Sequence, residues 1–327
     1  MSATQPLTRE ILLRMYRTMI TIRMFETREA QIYRQGLQPG FVHLYLGQEA
    51  IATGVCAALR GDDYITSTHR GHGHLIARGG DVKRMMAELF GRVTGYCKGR
   101  GGSLHIADFD LGMLGANGIV GGGIPIATGA GLSAKKRHTD QVVACFFGDG
   151  ATNQGTFHEA INMASIWKLP VVYVCENNGY GVTASIHKTS NVGKDLSVRA
   201  RSYGIPGAKL DGNDVLAVYQ AAEEAVKRAR RGEGPTLMVC ETCRHSGHYE
   251  GEMETAPSYR TPEQLEECRK RDPIPRFRRY LAEHSDIREE ELARIDEEVA
   301  ALIENAVQYA QESPRPDPSI AVEDLFA

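Results

Sequence analysis

Asp149 and Asn178 each sit in a short polar turn, Gly148-Asp149-Gly150 and Glu176-Asn177-Asn178. One carboxylate and one side-chain amide make a poor complete metal site. They make a good half-site for Mg²⁺, which prefers six oxygen ligands and takes some of them from a bound phosphate. The backbone carbonyl of Tyr180, just past Asn178, can add another oxygen. Glycines on both sides of Asp149 let a diphosphate approach the main chain, and a helix starting near Thr156 offers free N–H groups to its charge. A D-G turn alone is common where strands end, so the turn by itself says little. The spacing says more: 26 residues lie between Gly150 and Asn177, about what one crossover helix and a return strand need.

Residues 142–147 and 171–175 are short, nearly continuous apolar runs, and they read as buried strands that deliver those two turns. Between them, Phe157, Ile161, Ala164 and Trp167 recur at helical spacing. Asp149 and Asn178 are then expected at the same edge of a parallel sheet, where open α/β sheets bind ligands. Asp214 is placed to cap a helix running to Arg231, and residues 236–241 form another strand. Ahead of this alternation, Ile11, Leu12, Met15, Met19, Ile22 and Phe25 mark a long helix from about residue 8, ended by Gly36, Pro39 and Gly40. Residues 48–59 are a second helical stretch, and Asp81 caps a third over 82–90. The glycine-dense segment 91–131 interleaves Ile119, Val120, Ile124 and Ile126, which a solvated linker does not need. It reads as an ordered loop close to a ligand, leading into a packed helix. The expected fold is α/β, a mostly parallel sheet with helices on both faces.

Composition bounds the function. The chain has 327 residues, 42% hydrophobic and 24% charged, with a formal net charge of −3. This argues against nucleic acid or an anionic membrane as the main partner. No apolar run approaches the roughly 20 residues of a membrane span, and MSATQPLTRE has no export-signal pattern. A cytoplasmic location is expected. The seven cysteines are odd in number and dispersed, which reads as reduced thiols. The C-x-x-C of Cys240 and Cys243 falls in an apparent strand, so a structural role is expected over a redox pair. From residue 261 onward the chain turns to charged helix faces and ends near Pro314, Pro316 and Pro318.

The stretch GDGATNQGTFHEAINMASIWKLPVVYVCENNGYG resembles the α subunit of the E1 component of 2-oxoacid dehydrogenase complexes, which bind thiamine diphosphate. So do GFVHLYLGQEA, THRGHGH, GRGGSLHIAD, GANGIVGGGIP and RHSGHYEG, and the likeness covers roughly residues 8–310. It implies the thiamine-diphosphate-binding fold as a single domain over 1–327, with a helical N-terminal segment (about 8–35) and a charged helical C-terminal segment (about 261–312). It implies an α₂β₂ heterotetramer with an E1 β subunit, and a cofactor held between the two chain types.

Residue by residue, the resemblance implies that Asp149, Asn178 and the Tyr180 carbonyl hold Mg²⁺. The backbone amides of Gly150 and Ala151, with Arg70, Arg244 and His248, take the diphosphate. His69 stands where many relatives have tyrosine and is a further cofactor contact. Gly118 and Val120 present backbone to the aminopyrimidine, and His43 and His72 fall near the substrate. The glutamate that activates the cofactor is placed on the β chain.

THRGHGH, MLGANGIVGGG and GHYEG resemble acetoin dehydrogenase α subunits more than pyruvate ones. That implies cleavage of acetoin to acetaldehyde and a hydroxyethyl adduct, passed as an acetyl group to a lipoyl-bearing acyltransferase. Oxidative decarboxylation of pyruvate or another 2-oxoacid is the alternative. Other readings stay open here: a transition-metal site in the run from His69 to His74, Arg244 and His248 as solvated loop residues, Glu49 as a surface or interface contact, and a non-catalytic interaction module of this fold.

Overall fold

The computed structural model describes residues 7–252 and 259–322. In chain order the elements are α1 (Arg9–Arg34), α2 (Glu49–Ala57), β1 (Tyr64–Thr66), α3 (Gly71–Ala77), α4 (Val82–Leu89), α5 (Gly123–Lys136), β2 (Val143–Gly148), α6 (Gly155–Ile166) and β3 (Val171–Asn177). Then come a small hairpin of β4 (Tyr180–Gly181) and β5 (Ala184–Ser185), α7 (Ile186–Thr189), β6 (Gly207–Asp211), α8 (Val215–Arg230) and β7 (Thr236–Glu241). Helices α9 (Pro262–Lys270), α10 (Pro273–His284) and α11 (Glu289–Glu312) follow.

Five strands form one all-parallel sheet in the order β1-β2-β3-β7-β6. Because successive side chains of a strand point to opposite faces, β2 divides its residues between two cores. Ala144 and Phe146 join the core beneath α1, α2, α4, α8 and α11. Val143, Cys145 and Phe147 join the core with α5 and α6. Both faces are covered, which is why β2 and β3 read as continuous apolar runs. In the β2–β3 register Gly148 lies opposite Glu176, so the turns that follow leave from one edge.

Helix starts follow their caps. Thr8, Asp81 and Asp214 each accept from a backbone N–H of the first turn. Helix α1 lies along α11, with Arg17 paired to Glu298 and Arg28 Nε 2.8 Å from Glu304. Both partners advance in the same direction, so the two helices run parallel.

The structure corrects three readings. The run from His69 to His74, left open as a metal site, does not gather its histidines: residues 71–77 form helix α3, which turns His72 and His74 fully inward. Glu49 is not a surface group: it is fully buried, accepts from the Gly47 N–H through both carboxylate oxygens at 3.1 Å, and is paired with Arg23. The cysteines are not all reduced. Cys243 and Cys268 form a disulfide that joins the end of β7 to α9, while Cys56, Cys97, Cys145, Cys175 and Cys240 are free. The partners are 25 residues apart in sequence and meet only because the chain returns across the sheet edge. Among the described residues, no helix is long and apolar enough to cross a membrane.

Candidate active site

A cleft of about 990 Å³, open to solvent, lies at the carboxyl edge of the sheet. It collects residues from segments far apart in sequence: His43, the pair His69 and Arg70 ahead of α3, the loop through Gly118 and Val120, the turn after β2, the end of β3, and Arg244 with His248 after β7.

The acidic corner is made by β2 and β3. Asp149 opens a short 3-10 turn, Asp149–Asn153, and is almost fully buried. Its Oδ2 has no hydrogen-bond partner. Burial raises its pKa to about 6, against the opposing pull of the Asp149 and Asn178 backbone amides and the Arg244 charge. Across from it, Asn178 Nδ2 donates to Gln48 Oε1 at 3.1 Å. That fixes the amide the right way round and leaves Oδ1 to accept, with only a long contact of 3.4 Å from the Tyr180 N–H. Gly150 and Gly181 face each other, and a Cβ on Gly150 would make an ordinary contact, 3.5 Å, with the Gly181 Cα. Main chain from both turns is therefore bare at the cleft. An orphaned buried carboxylate oxygen, an oriented amide oxygen and exposed backbone suit a hard divalent cation bridged to a phosphate.

The basic wall is built from two guanidiniums and three imidazoles. Arg70 is buried and donates through Nη1 to the Leu44 carbonyl (2.7 Å) and through Nη2 to the His248 carbonyl (2.6 Å). Arg244, 1% exposed, donates to the Val182 carbonyl (3.0 Å), the Tyr259 hydroxyl (2.9 Å) and His248 Nδ1 (3.1 Å). It is no solvated loop residue. Among the described residues, neither guanidinium has a carboxylate within ion-pair distance. Burial lowers the pKa of both, and for Arg70 the Arg244 charge adds to this. Two confined positive charges without a counter-charge invite an anion.

His43, His69 and His248 meet with ring centroids 4.8–5.4 Å apart. Burial first, and then the adjacent guanidiniums, push His43 and His248 down to about 3 and His69 well below its ordinary value. All three are neutral near pH 7. A guanidinium can only donate, so His248 Nδ1 accepts from Arg244 and the ring proton sits on Nε2. Their ring nitrogens lie within 4.8 Å of one another. However, a cation held there would face Arg70 and Arg244, and His248 Nδ1 already accepts. The histidine-rich run itself does not form a metal cluster, because α3 takes His72 and His74 away from His69.

His72 is the one sequence candidate the structure does not bring to the cleft. It is fully buried behind the wall, where its Nδ1 contacts Glu26 (3.1 Å) and its Nε2 meets the Ser103 hydroxyl (3.0 Å). His43, His69, Arg70, Gly118, Val120, Asp149, Gly150, Ala151, Asn178, Tyr180, Arg244 and His248 all line the cleft. Among the lining residues to which sequence reasoning gave no role are Gln48 and Glu176. Glu176 accepts from the Tyr45 hydroxyl and lies 3.1 Å from His74 Nε2, which anchors the end of β3. Gln48 stood inside a quoted motif, GFVHLYLGQEA, and Glu176 inside the turn itself. What each touches depends on tertiary contacts.

Comparison with known proteins agrees with this geometry. Residues 16–319 match the family described as the dehydrogenase E1 component. The chain is 52% identical over 321 residues to the α subunit of acetoin:2,6-dichlorophenolindophenol oxidoreductase of Bacillus subtilis, covering 98% of this chain and 95% of that one. It is 47% identical to the subunit of the same description in Cupriavidus necator, over 99% and 97% of the two chains. A chloroplastic pyruvate dehydrogenase E1 component subunit alpha-3 of Arabidopsis thaliana is 42% identical, over 98% of this chain and 76% of its own.

Proposed function

Since this chain belongs to the dehydrogenase E1 component family, we propose that it is the α subunit of a thiamine-diphosphate-dependent E1 enzyme that cleaves acetoin and works only with a β subunit. The observation that supports this best is the pairing of unlike charges across one cleft: among the described residues, Asp149 Oδ2 has no hydrogen-bond partner on one side, and Arg70 and Arg244 have no carboxylate partner on the other. A magnesium diphosphate completes both halves.

In this reading Asp149, Asn178 and the Tyr180 carbonyl hold Mg²⁺. The amides of Gly150 and Ala151, with Arg70, Arg244 and His248, hold the diphosphate, and backbone at Gly118 and Val120 meets the aminopyrimidine. Bound thiamine diphosphate supplies the carbanion that attacks a substrate carbonyl. The chain's own task is to bind, orient and exclude water. His248 carries its proton on Nε2 and serves as a neutral hydrogen-bond donor. Arg70 and Arg244 would have their charge offset by a bound diphosphate, and the depressed imidazoles would then move back toward their ordinary range. His43 and His69 then stand as groups for a substrate oxygen, and His72 steadies the wall through Ser103 and Glu26.

The acetyl acceptor in this reading is the lipoyl group of an acyltransferase partner. Acetoin is preferred over pyruvate because the relatives at 52% and 47% identity are described as acetoin:2,6-dichlorophenolindophenol oxidoreductase subunits. The test is a dye-reduction assay of the chain reconstituted with its β partner, with acetoin and pyruvate as competing substrates. Acetoin is expected to give the higher kcat/KM; a pyruvate value well above it reverses the assignment.

A further inference from the structure

We propose that the Cys243–Cys268 disulfide is a reversible redox modification site: reduction by a small dithiol loosens the Arg244–His248 segment and with it the hold on the diphosphate. The second half of this statement rests on the cofactor reading above.

The disulfide sits one residue from the basic wall. Cys243 immediately precedes Arg244, whose side chain reaches His248 and the Val182 carbonyl. Its partner is carried by α9, and Cys268 is the only buried residue of that helix. Besides the disulfide, two side chains just ahead of α9 hold the segment to this part of the chain. Arg260 donates to the carbonyls of Arg244 and Ser246, and the Tyr259 hydroxyl accepts from Arg244. The disulfide is the one covalent bond that fastens residues 244–246 to α9 itself. A helix with a single buried side chain adds little apolar packing to replace the bond.

The two sulfurs differ in access. Cys268 is 6% exposed, whereas Cys243 is half-buried. A dithiol's thiolate therefore attacks Cys243 Sγ, the S–S bond breaks, and Cys268 leaves as a thiolate that takes up a proton. The dithiol's second thiolate then displaces Cys243 from the mixed disulfide. The reductant ends as a cyclic disulfide and the protein holds two thiols, for two electrons and two protons transferred. The released Cys268 lies 3.5 Å from the Arg244 carbonyl, close enough for its new S–H to make a weak hydrogen bond there. Cys240, three residues upstream, does not compete, because it is fully buried and burial pushes its thiol up.

The test uses the assembled α and β chains, air-oxidised or treated with dithiothreitol. Calorimetry measures thiamine diphosphate binding with magnesium, and hydrogen exchange follows residues 244–250 without cofactor. Reduction is expected to weaken binding by about tenfold, as expected when a pre-ordered binding segment becomes mobile, and to speed exchange over 244–250. The C243S/C268S variant is expected to match the reduced enzyme whether or not dithiol is present. Equal affinity and equal exchange in the two redox states overturn the proposal, as does an oxidised protein in which alkylation finds both thiols free. Absence of binding in both states defeats the cofactor reading instead; exchange over 244–250 then still decides whether the disulfide controls the segment.

Discussion

Gln48 decides which way Asn178 faces. Its Oε1 accepts the Asn178 amide hydrogen, while its own Nε2 is buried without a partner. Replacing it with alanine frees the Asn178 amide to rotate. Losses of this kind behind a metal ligand run to about 10-fold or more in metal affinity. Gln48→Ala should therefore raise the magnesium concentration needed for thiamine diphosphate binding, followed calorimetrically, while leaving the melting temperature nearly unchanged. An unaltered magnesium requirement would show that Asn178 is held by other means. Glu29 is a different single-residue case. It is fully buried on α1, neither oxygen is hydrogen-bonded, and burial pushes its pKa to about 8, against the pull of His72. The folded protein then keeps this proton at pH values where the unfolded chain, near 4.5, has lost it. Stability falls as pH rises between those two values, because the folded state binds more protons than the unfolded one. Glu29→Gln should remove that slope, for a gain on the order of 2–4 kcal/mol at pH 8 and little at pH 5. Urea unfolding at the two pH values measures it, and an equal gain at both would reject the linkage.

Between elements, α2 packs tightly against α8. A Cβ on Gly54 would lie 2.7 Å from Val218 Cγ1 and 2.9 Å from the Val215 carbonyl. Gly54→Ala must push the helices apart, at a cost of about 1–3 kcal/mol. Adding Val218→Ala should recover part of that loss in denaturant unfolding; simple additivity of the two losses would place the clash elsewhere. Such fits bear on what the sequence could reveal. Strands β2, β3 and β7 and helices α6 and α8 were legible because their apolar residues repeat with the right period and α8 begins at a capping side chain, Asp214. Asp149 and Asn178 were legible for the same reason, since strand ends fix where turns fall. Strand β1 has three residues and β6 is half-exposed, with Lys209 and Gly207 in it, so neither carries an apolar run. Helix α3 begins with Gly71-His72-Gly73, poor helix formers, and is held by contacts such as Glu26 to His72 that no local pattern announces. The disulfide and the burial of Glu49 were hidden in the same way, by partners remote in sequence.

Seen whole, the molecule leaves its cleft rimmed by apolar side chains: Ile119 is 74% exposed, Val120 52% and Val182 53%. Apolar groups clustered at the mouth of a polar site suit a covering surface, and the proposed β subunit is that cover. The isolated α chain should give no turnover, and charged replacements at Ile119 and Val182 should weaken α–β association in sedimentation experiments by about 10-fold or more. Full activity from α alone would remove the need for a cover. The parallel contact of α1 with α11 has a further consequence, for the order of events at the ribosome. Contacts between the two helices join residues about 280 apart in sequence, so the face of α1 that meets α11 waits uncovered while the intervening chain is made. This layer closes only after α11 has been synthesised, and the waiting helix is a natural client for a chaperone that holds amphipathic segments.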